Sequence, residues 1–187
     1  RRAVRDEILE RFPTTLLLGM LGVALTVVVG IPFGIISATK QYSILDYIVT
    51  IVSLIFASIP SFWMAMMFQL GLSYNLGWFP ATYAAGSAVS MVMPVLTLGL
   101  SPVATVTRIT RSSMLDVVRQ DYIRTARAKG LNEKTVIYHH AFRNTLIPLV
   151  TIVGGSLPGL FSGALITETL YSIPGIGYVS YQAMVGG

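Results

Sequence analysis

The sequence predicts an all-α, polytopic membrane protein, and three observations carry that prediction. Of its 187 residues, 53% are hydrophobic and 11% charged, against roughly 25% charged in a soluble domain. Mean hydropathy is +0.70, and a small globule cannot keep that much apolar surface from water. The charges are also clustered. They leave uncharged stretches of 28 residues between Arg11 and Lys40, 61 between Asp46 and Arg108, and 24 between Arg143 and Glu168. A spanning helix needs about 20 apolar residues. The first and third stretches therefore hold one span each, and the second holds two. The spans fall at 14–38, 48–72, 90–107 and 144–167, within a single transmembrane domain covering 1–187. The same composition excludes disorder, which needs low hydrophobicity and high charge. With no cysteine, disulfide scaffolds, thiol nucleophiles, Fe–S clusters and cysteine-type zinc sites are excluded too.

Before the first span, Arg1-Arg2-Ala3-Val4-Arg5-Asp6-Glu7 carries mixed charge. Glu7, Ile8, Leu9, Arg11 and Phe12 suit a short interfacial helix. The apolar run that follows is about twice the core of a signal peptide, which is 7–15 residues. Pro32, Pro60, Pro94, Pro102 and Pro158 lie in the spans; they are tolerated where neighbours satisfy the freed carbonyls, and they predict kinks. The connector from Tyr74 to Tyr83 contains Trp78 and two tyrosines, which favour the headgroup layer, and Gly77 and Pro80, which oppose a helix.

Orientation follows from basic residues in the short loops. The 36-residue segment 108–143 carries eight, and 39–46 adds Lys40. With alternating spans these segments share one side, opposite 1–13, 73–89 and the tail. Nine basic residues against four place 108–143 in the cytoplasm. That loop reads as structured. Residues 107–118 continue the preceding helix, and 121–129 are helix-compatible. Gly130 is a C-terminal stop behind Arg127 and Lys129, and Asn132 caps a second helix with Glu133 in its first turn. A rigid basic protrusion of this kind suits a push from a soluble partner. It equally suits a positive-inside loop that happens to be helical. The tail, 168–187, reads as an outer re-entrant or turn segment.

The stretch Asp121-Tyr122-Ile123-Arg124-Thr125-Ala126-Arg127-Ala128-Lys129-Gly130-Leu131, followed by His140-Ala-Phe-Arg-Asn-Thr-Leu-Ile-Pro148, resembles the EAA loop of ABC-importer permeases, in the dipeptide/oligopeptide branch. Further stretches match that branch in order: Pro13-Thr-Thr-Leu, Gly30-Ile-Pro-Phe-Gly34, Ser58-Ile-Pro-Ser-Phe-Trp63, Leu76-Gly-Trp-Phe-Pro80, Pro94-Val-Leu-Thr-Leu98 and Glu168-Thr-Leu-Tyr-Ser-Ile-Pro-Gly-Ile-Gly177. Arg124 and Thr125 stand where the general pattern has glutamate and its first alanine. His140, Phe142 and Arg143 replace its Ile, Leu and Pro. Ala126 and Gly130 are kept.

The resemblance implies a six-helix permease core, of which this chain holds four near-complete spans and reads as cut at both ends. It implies residence in the inner membrane of a prokaryote and half of a translocation path, shared with a second permease subunit. Two cytoplasmic ATP-binding subunits would dock on the loop through Asp121, Tyr122, Arg124, Thr125, Ala126, Ala128, Lys129, Gly130 and Leu131, and an external solute-binding protein would deliver the substrate. ATP and Mg would be used by the partner, with no cofactor, metal or catalytic residue in this chain. In agreement, no G-x-x-x-x-G-K-[ST] phosphate loop occurs. The cargo that the resemblance implies is a di- or oligopeptide, with nickel, glutathione or another small solute as alternatives within the same permease type.

Other chemistry is weaker. His139-His140 are adjacent and have no third ligand at a useful spacing. The basic loop lacks the aromatic platform of a nucleic-acid surface; anionic lipid of the bilayer or an acidic ATPase suits it better. A secondary transporter would need its own ion site, yet the spans before Glu168 carry no acidic residue. A channel subunit would not need the helical loop. Polar span residues must face other helices or water. Ser58 and Ser61, which flank Pro60, together with Ser162 and Glu168, are the candidate pathway residues. Glu168 is expected at the outer mouth of a wet cavity, either as a gate or as an exposed helix-end carboxyl.

Overall fold

The computed structural model describes residues 4–186, with the backbone alone for Val4 and for 156–163. Among these residues every regular element is helical. Helix α1 runs Val4–Thr39. It takes in residues 7–12, so the expected interfacial helix is the first turns of the span itself. The 28 uncharged residues lie inside this one helix, and α1 ends just before Lys40. Two of the described helical stretches, Arg5–Thr39 and Ala88–Val118, are long and apolar enough to cross a membrane.

The second expected span, 48–72, is broken. Helix α2, Ile44–Ser58, stops, and helix α3, Ser61–Phe68, begins after Pro60, which sits at φ −61° and ψ 138°. A proline has no N–H and its ring clashes with the preceding turn, so the ladder ends there. Ile44–Ser58 and Ser61–Asn75 pass the same length and hydropathy test together, bent by 101° at the break, as a broken span or a re-entrant loop. Helix α3 passes into a π-helical turn, Gln69–Asn75. Pro32 and Pro102, in contrast, lie inside helices that continue through them. Pro158 lies outside the described side chains.

A 3-10 turn, Ala88–Met91, leads into helix α4, Val92–Val118, which carries the third span on past 107. Helices α5, Asp121–Ala128, and α6, Glu133–Thr135, follow, then a π-helical turn, Val136–Ala141. Helix α7, Phe142–Leu170, covers the fourth expected span. The tail is not turn throughout. A bend at 171–175 gives way to helix α8, Ile176–Gly186.

The chain divides into two compact units. The first comprises Arg1–Leu25, Ser58–Ser101 and Ser156–Gly187, and so gathers the segments expected on the outer side. Its core is Leu18, Ala65, Met91, Met93, Leu98, Tyr171 and Ile173. The Tyr171 hydroxyl bonds Thr97 (2.9 Å) and donates to the Ala65 carbonyl (3.3 Å), while the Tyr83 amide donates to the Tyr171 carbonyl (2.8 Å). Gln69 Nε2 donates to the carbonyls of Ala81 and Leu170, both at 3.0 Å. These bonds satisfy carbonyls in the connector and at the end of α7 and tie both to α3.

The second unit comprises Thr26–Ala57 and Pro102–Gly155. It contains both 39–46 and 108–143, the segments expected on the cytoplasmic side. Its core joins Ile35 and Ala38 of α1, Met114 of α4, Ile123 and Ala126 of α5, and Val136, Ile137 and Ala141. A Cβ at Gly34 would meet the Thr107 carbonyl at 2.7 Å, so α1 and α4 touch backbone to backbone there, and only glycine fits.

Candidate coupling surface and pathway residues

Helix α5 places its apolar residues at i and i+3. Ile123 is fully buried and Ala126 is 7% exposed, both within the core of the second unit. The remaining residues of the expected docking set, Asp121, Tyr122, Arg124, Thr125, Ala128, Lys129, Gly130 and Leu131, are exposed. Ala126 is therefore corrected: it packs against the chain's own helices and does not lie on the outward face. The outward row is mixed in charge, with Asp121 3.5 Å from Arg124. The Thr125 hydroxyl is turned back onto the Asp121 carbonyl at 3.0 Å.

The helix ends as its sequence predicts. Gly130 has φ +78°, its amide donates to the Arg127 carbonyl (2.9 Å), and the Leu131 amide donates to the Ala126 carbonyl (3.4 Å). This pair of bonds is the Schellman arrangement, which needs a left-handed residue at the glycine position. Asn132 then caps α6, accepting from the Lys134 amide at 2.9 Å. Across the corner Arg127 makes two bonds to Glu133, at 2.7 and 3.2 Å. The Arg127 guanidinium holds the Glu133 carboxyl below the ordinary carboxylate range, against a smaller effect of burial. The pair's contribution is thus fully present above that range and is lost as pH falls through the lowered pKa of Glu133; both partners are solvent-exposed, so it is small. On the other side of α5, Asn144 donates to the Tyr122 hydroxyl at 2.8 Å. The protrusion is a structured arm, anchored through Ile123 and Ala126, that presents an exposed, charged face.

The pathway candidates separate. Ser58 ends α2 and is exposed, and Ser61 begins α3 half-buried, on either side of Pro60. Ser162 lies outside the described side chains. Glu168 is 0% exposed, which rules out an exposed helix-end carboxyl. Its Oε1 accepts from the Thr15 hydroxyl (2.6 Å) and its Oε2 from the Tyr178 amide (3.1 Å). The Ile176 amide in turn donates to Thr15 Oγ1 at 2.9 Å. A Cβ on Gly175 would collide with this carboxyl group, and one on Gly177 would meet both it and the Leu165 backbone. In this structure Glu168 fastens the bend that starts α8, and the expected place at a wet mouth is corrected. Thr97 and Gln69 are likewise committed to internal bonds.

The family described as binding-protein-dependent transport system inner membrane component matches residues 30–187. The chain belongs to that family. Among its relatives are the oligopeptide transport system permease protein AppB of Bacillus subtilis, 40% identical over 93% of this chain and 58% of the relative, and the dipeptide transport system permease protein DppB of Alkalihalophilus pseudofirmus, 36% identical over 98% and 63%. The oligopeptide transport system permease protein OppB of Haemophilus influenzae is 37% identical over 94% and 58%. The chain thus spans about three fifths of the length of these relatives.

The chain is a multi-pass membrane protein, and several of the stretches that carry its family resemblance make tertiary contacts. Pro13-Thr-Thr-Leu supplies Thr15 to Glu168 and to the amide of Ile176. Pro94-Val-Leu-Thr-Leu98 supplies Thr97 to Tyr171. Gly30-Ile-Pro-Phe-Gly34 lays two glycines against Val106, Thr107 and Thr110. Sequence reasoning did not find Thr15, because nothing in a threonine among leucines signals a partner 153 residues away. Its one signal is that both stretches belong to the resemblance.

Proposed function

We propose that the chain is a permease subunit of an ATP-driven importer of di- or oligopeptides in a prokaryotic inner membrane. It forms half of the translocation path with a second permease subunit. Two cytoplasmic ATP-binding subunits dock on the arm 121–131 and use ATP and Mg, and an external solute-binding protein delivers the peptide. The peptide cargo is supported by relatives whose names are oligopeptide and dipeptide transport system permeases. The observation that carries the coupling role is the arm itself: a short helix closed by a Schellman corner, anchored by Ile123 and Ala126 and exposed along its other face. A flexible loop would absorb a push, and a rigid one passes it on. Solubilised from its native membrane, the chain should co-purify with an ATP-binding subunit, and peptide uptake should require the binding protein. Uptake driven by an ion gradient, with no ATP-binding subunit attached, would overturn this reading.

A further inference from the structure

We propose that the Asp46–Arg111 ion pair is the fixed joint through which the α5 arm moves the α1–α2 hairpin. The inference rests on the coupling role proposed above and concerns positioning residues, which touch neither substrate nor nucleotide. Arg111, on α4, donates in fork geometry: Nε to Oδ1 at 2.7 Å and Nη2 to Oδ2 at 2.8 Å. Asp46 is 2% exposed, and its carboxylate takes two further donors. One is the hydroxyl of Ser37 in the last turns of α1; the other is the amide of Tyr42 at 3.0 Å, in the turn before α2. Tyr42 holds a left-handed conformation, φ +62°, which points its amide into this site. One carboxylate thus accepts four bonds, near the limit of its lone pairs, from α1, the hairpin turn and α4.

The joint sits beside the arm's anchor. Met114, one turn beyond Arg111 on α4, is fully buried and shares a core with Ile35 and Ala38 of α1 and with Ile123 and Ala126 of α5. Residue 110, immediately before Arg111, is where α1 crosses α4 at Gly34, with the Thr110 methyl 2.8 Å from the place of a Cβ. Apolar side chains alone can slide past one another. A bidentate charge pair fixes distance and angle together. When α5 is displaced, α4 turns with it, and the hairpin must follow or both Arg111–Asp46 hydrogen bonds must break.

The test uses the assembled importer in liposomes with its binding protein and peptide. Arg111→Lys keeps the charge and loses the fork. Assembly and basal ATP hydrolysis should stay within about twofold of the wild type. Hydrolysis stimulated by the loaded binding protein, and uptake per ATP, should fall by about tenfold, a typical size for coupling between sites. A stimulated rate equal to the wild type's overturns the inference. Should Arg111→Lys fail to assemble, Asp46→Asn decides, since it keeps the size of the side chain and removes the charge from the pair. A lowered stimulated rate at unchanged basal rate then supports the joint, and an unchanged stimulated rate overturns it. A wild-type preparation with no ATP-dependent uptake would instead overturn the function proposed above.

Discussion

Gly175→Ala tests the buried site around Glu168. The added methyl carbon would fall on the carboxyl group of Glu168, well inside the roughly 3.5 Å at which carbon atoms pack. The carboxyl cannot yield freely. It holds the Thr15 hydroxyl at 2.6 Å and the Tyr178 amide at 3.1 Å, and it is fully buried. Moving it leaves buried donors unpaired, at about 1–3 kcal/mol each. Keeping it forces the 171–175 bend to shift, an overpacking cost of about 1–3 kcal/mol. The cheaper route sets the loss, which is about 1–3 kcal/mol. The assay is reversible denaturant unfolding of the purified protein in mixed micelles. Gly19→Ala is the control, since a Cβ there meets nothing within 4 Å and the site is inside α1, and it should equal the wild type or exceed it by up to about 1 kcal/mol. If Gly175→Ala matched Gly19→Ala, Glu168 would not be packed against this bend and the buried-latch description would be wrong.

Three further outcomes follow from the same contacts. Glu168→Gln turns an amide nitrogen onto one of the two donors and should cost about 1–3 kcal/mol; a gate residue would instead lose uptake at unchanged stability, so unfolding and uptake are measured side by side. Ala126→Trp forces a large ring into a buried position and should lower the yield of folded protein before it affects any partner; a stable mutant that has lost only its ATP-binding subunit would return Ala126 to the outward face. Single cysteines at Ser58 and Ser61, in a chain with none of its own, should react with a water-soluble thiol reagent to an extent that changes with nucleotide state, and an absence of labelling in every state would remove both from the path.

What the sequence made legible was local. Gly130 and Asn132 report their conformations through chemistry within a few residues, a left-handed stop and a side-chain cap, and both are found where they were expected. The uncharged stretches set the long helices in the same way. The orientation of Ala126 was also written locally, three residues from Ile123, but a small residue in a docking helix invites the opposite assignment. The helix at 176–186 was hidden by Gly177, which weakens helix propensity. That glycine serves a tertiary contact with Leu165 and Glu168, which no window of neighbours reveals. Asp46–Arg111 and Thr15–Glu168 bridge 65 and 153 residues. Each member alone reads as an ordinary charge or hydroxyl, and only folding makes them pairs.

The central claim is that the exposed face of α5 and its glycine corner receive the ATP-binding subunit. Site-specific photo-cross-linking from single positions in the assembled complex measures this directly. Probes at Arg124, Ala128 and Lys129, all exposed, should cross-link to the ATP-binding subunit. A probe at Tyr74, 83% exposed in the connector assigned to the outer side, should not. Cross-links from Tyr74, or none from any of the three arm positions in a complex that still hydrolyses ATP, would contradict the account.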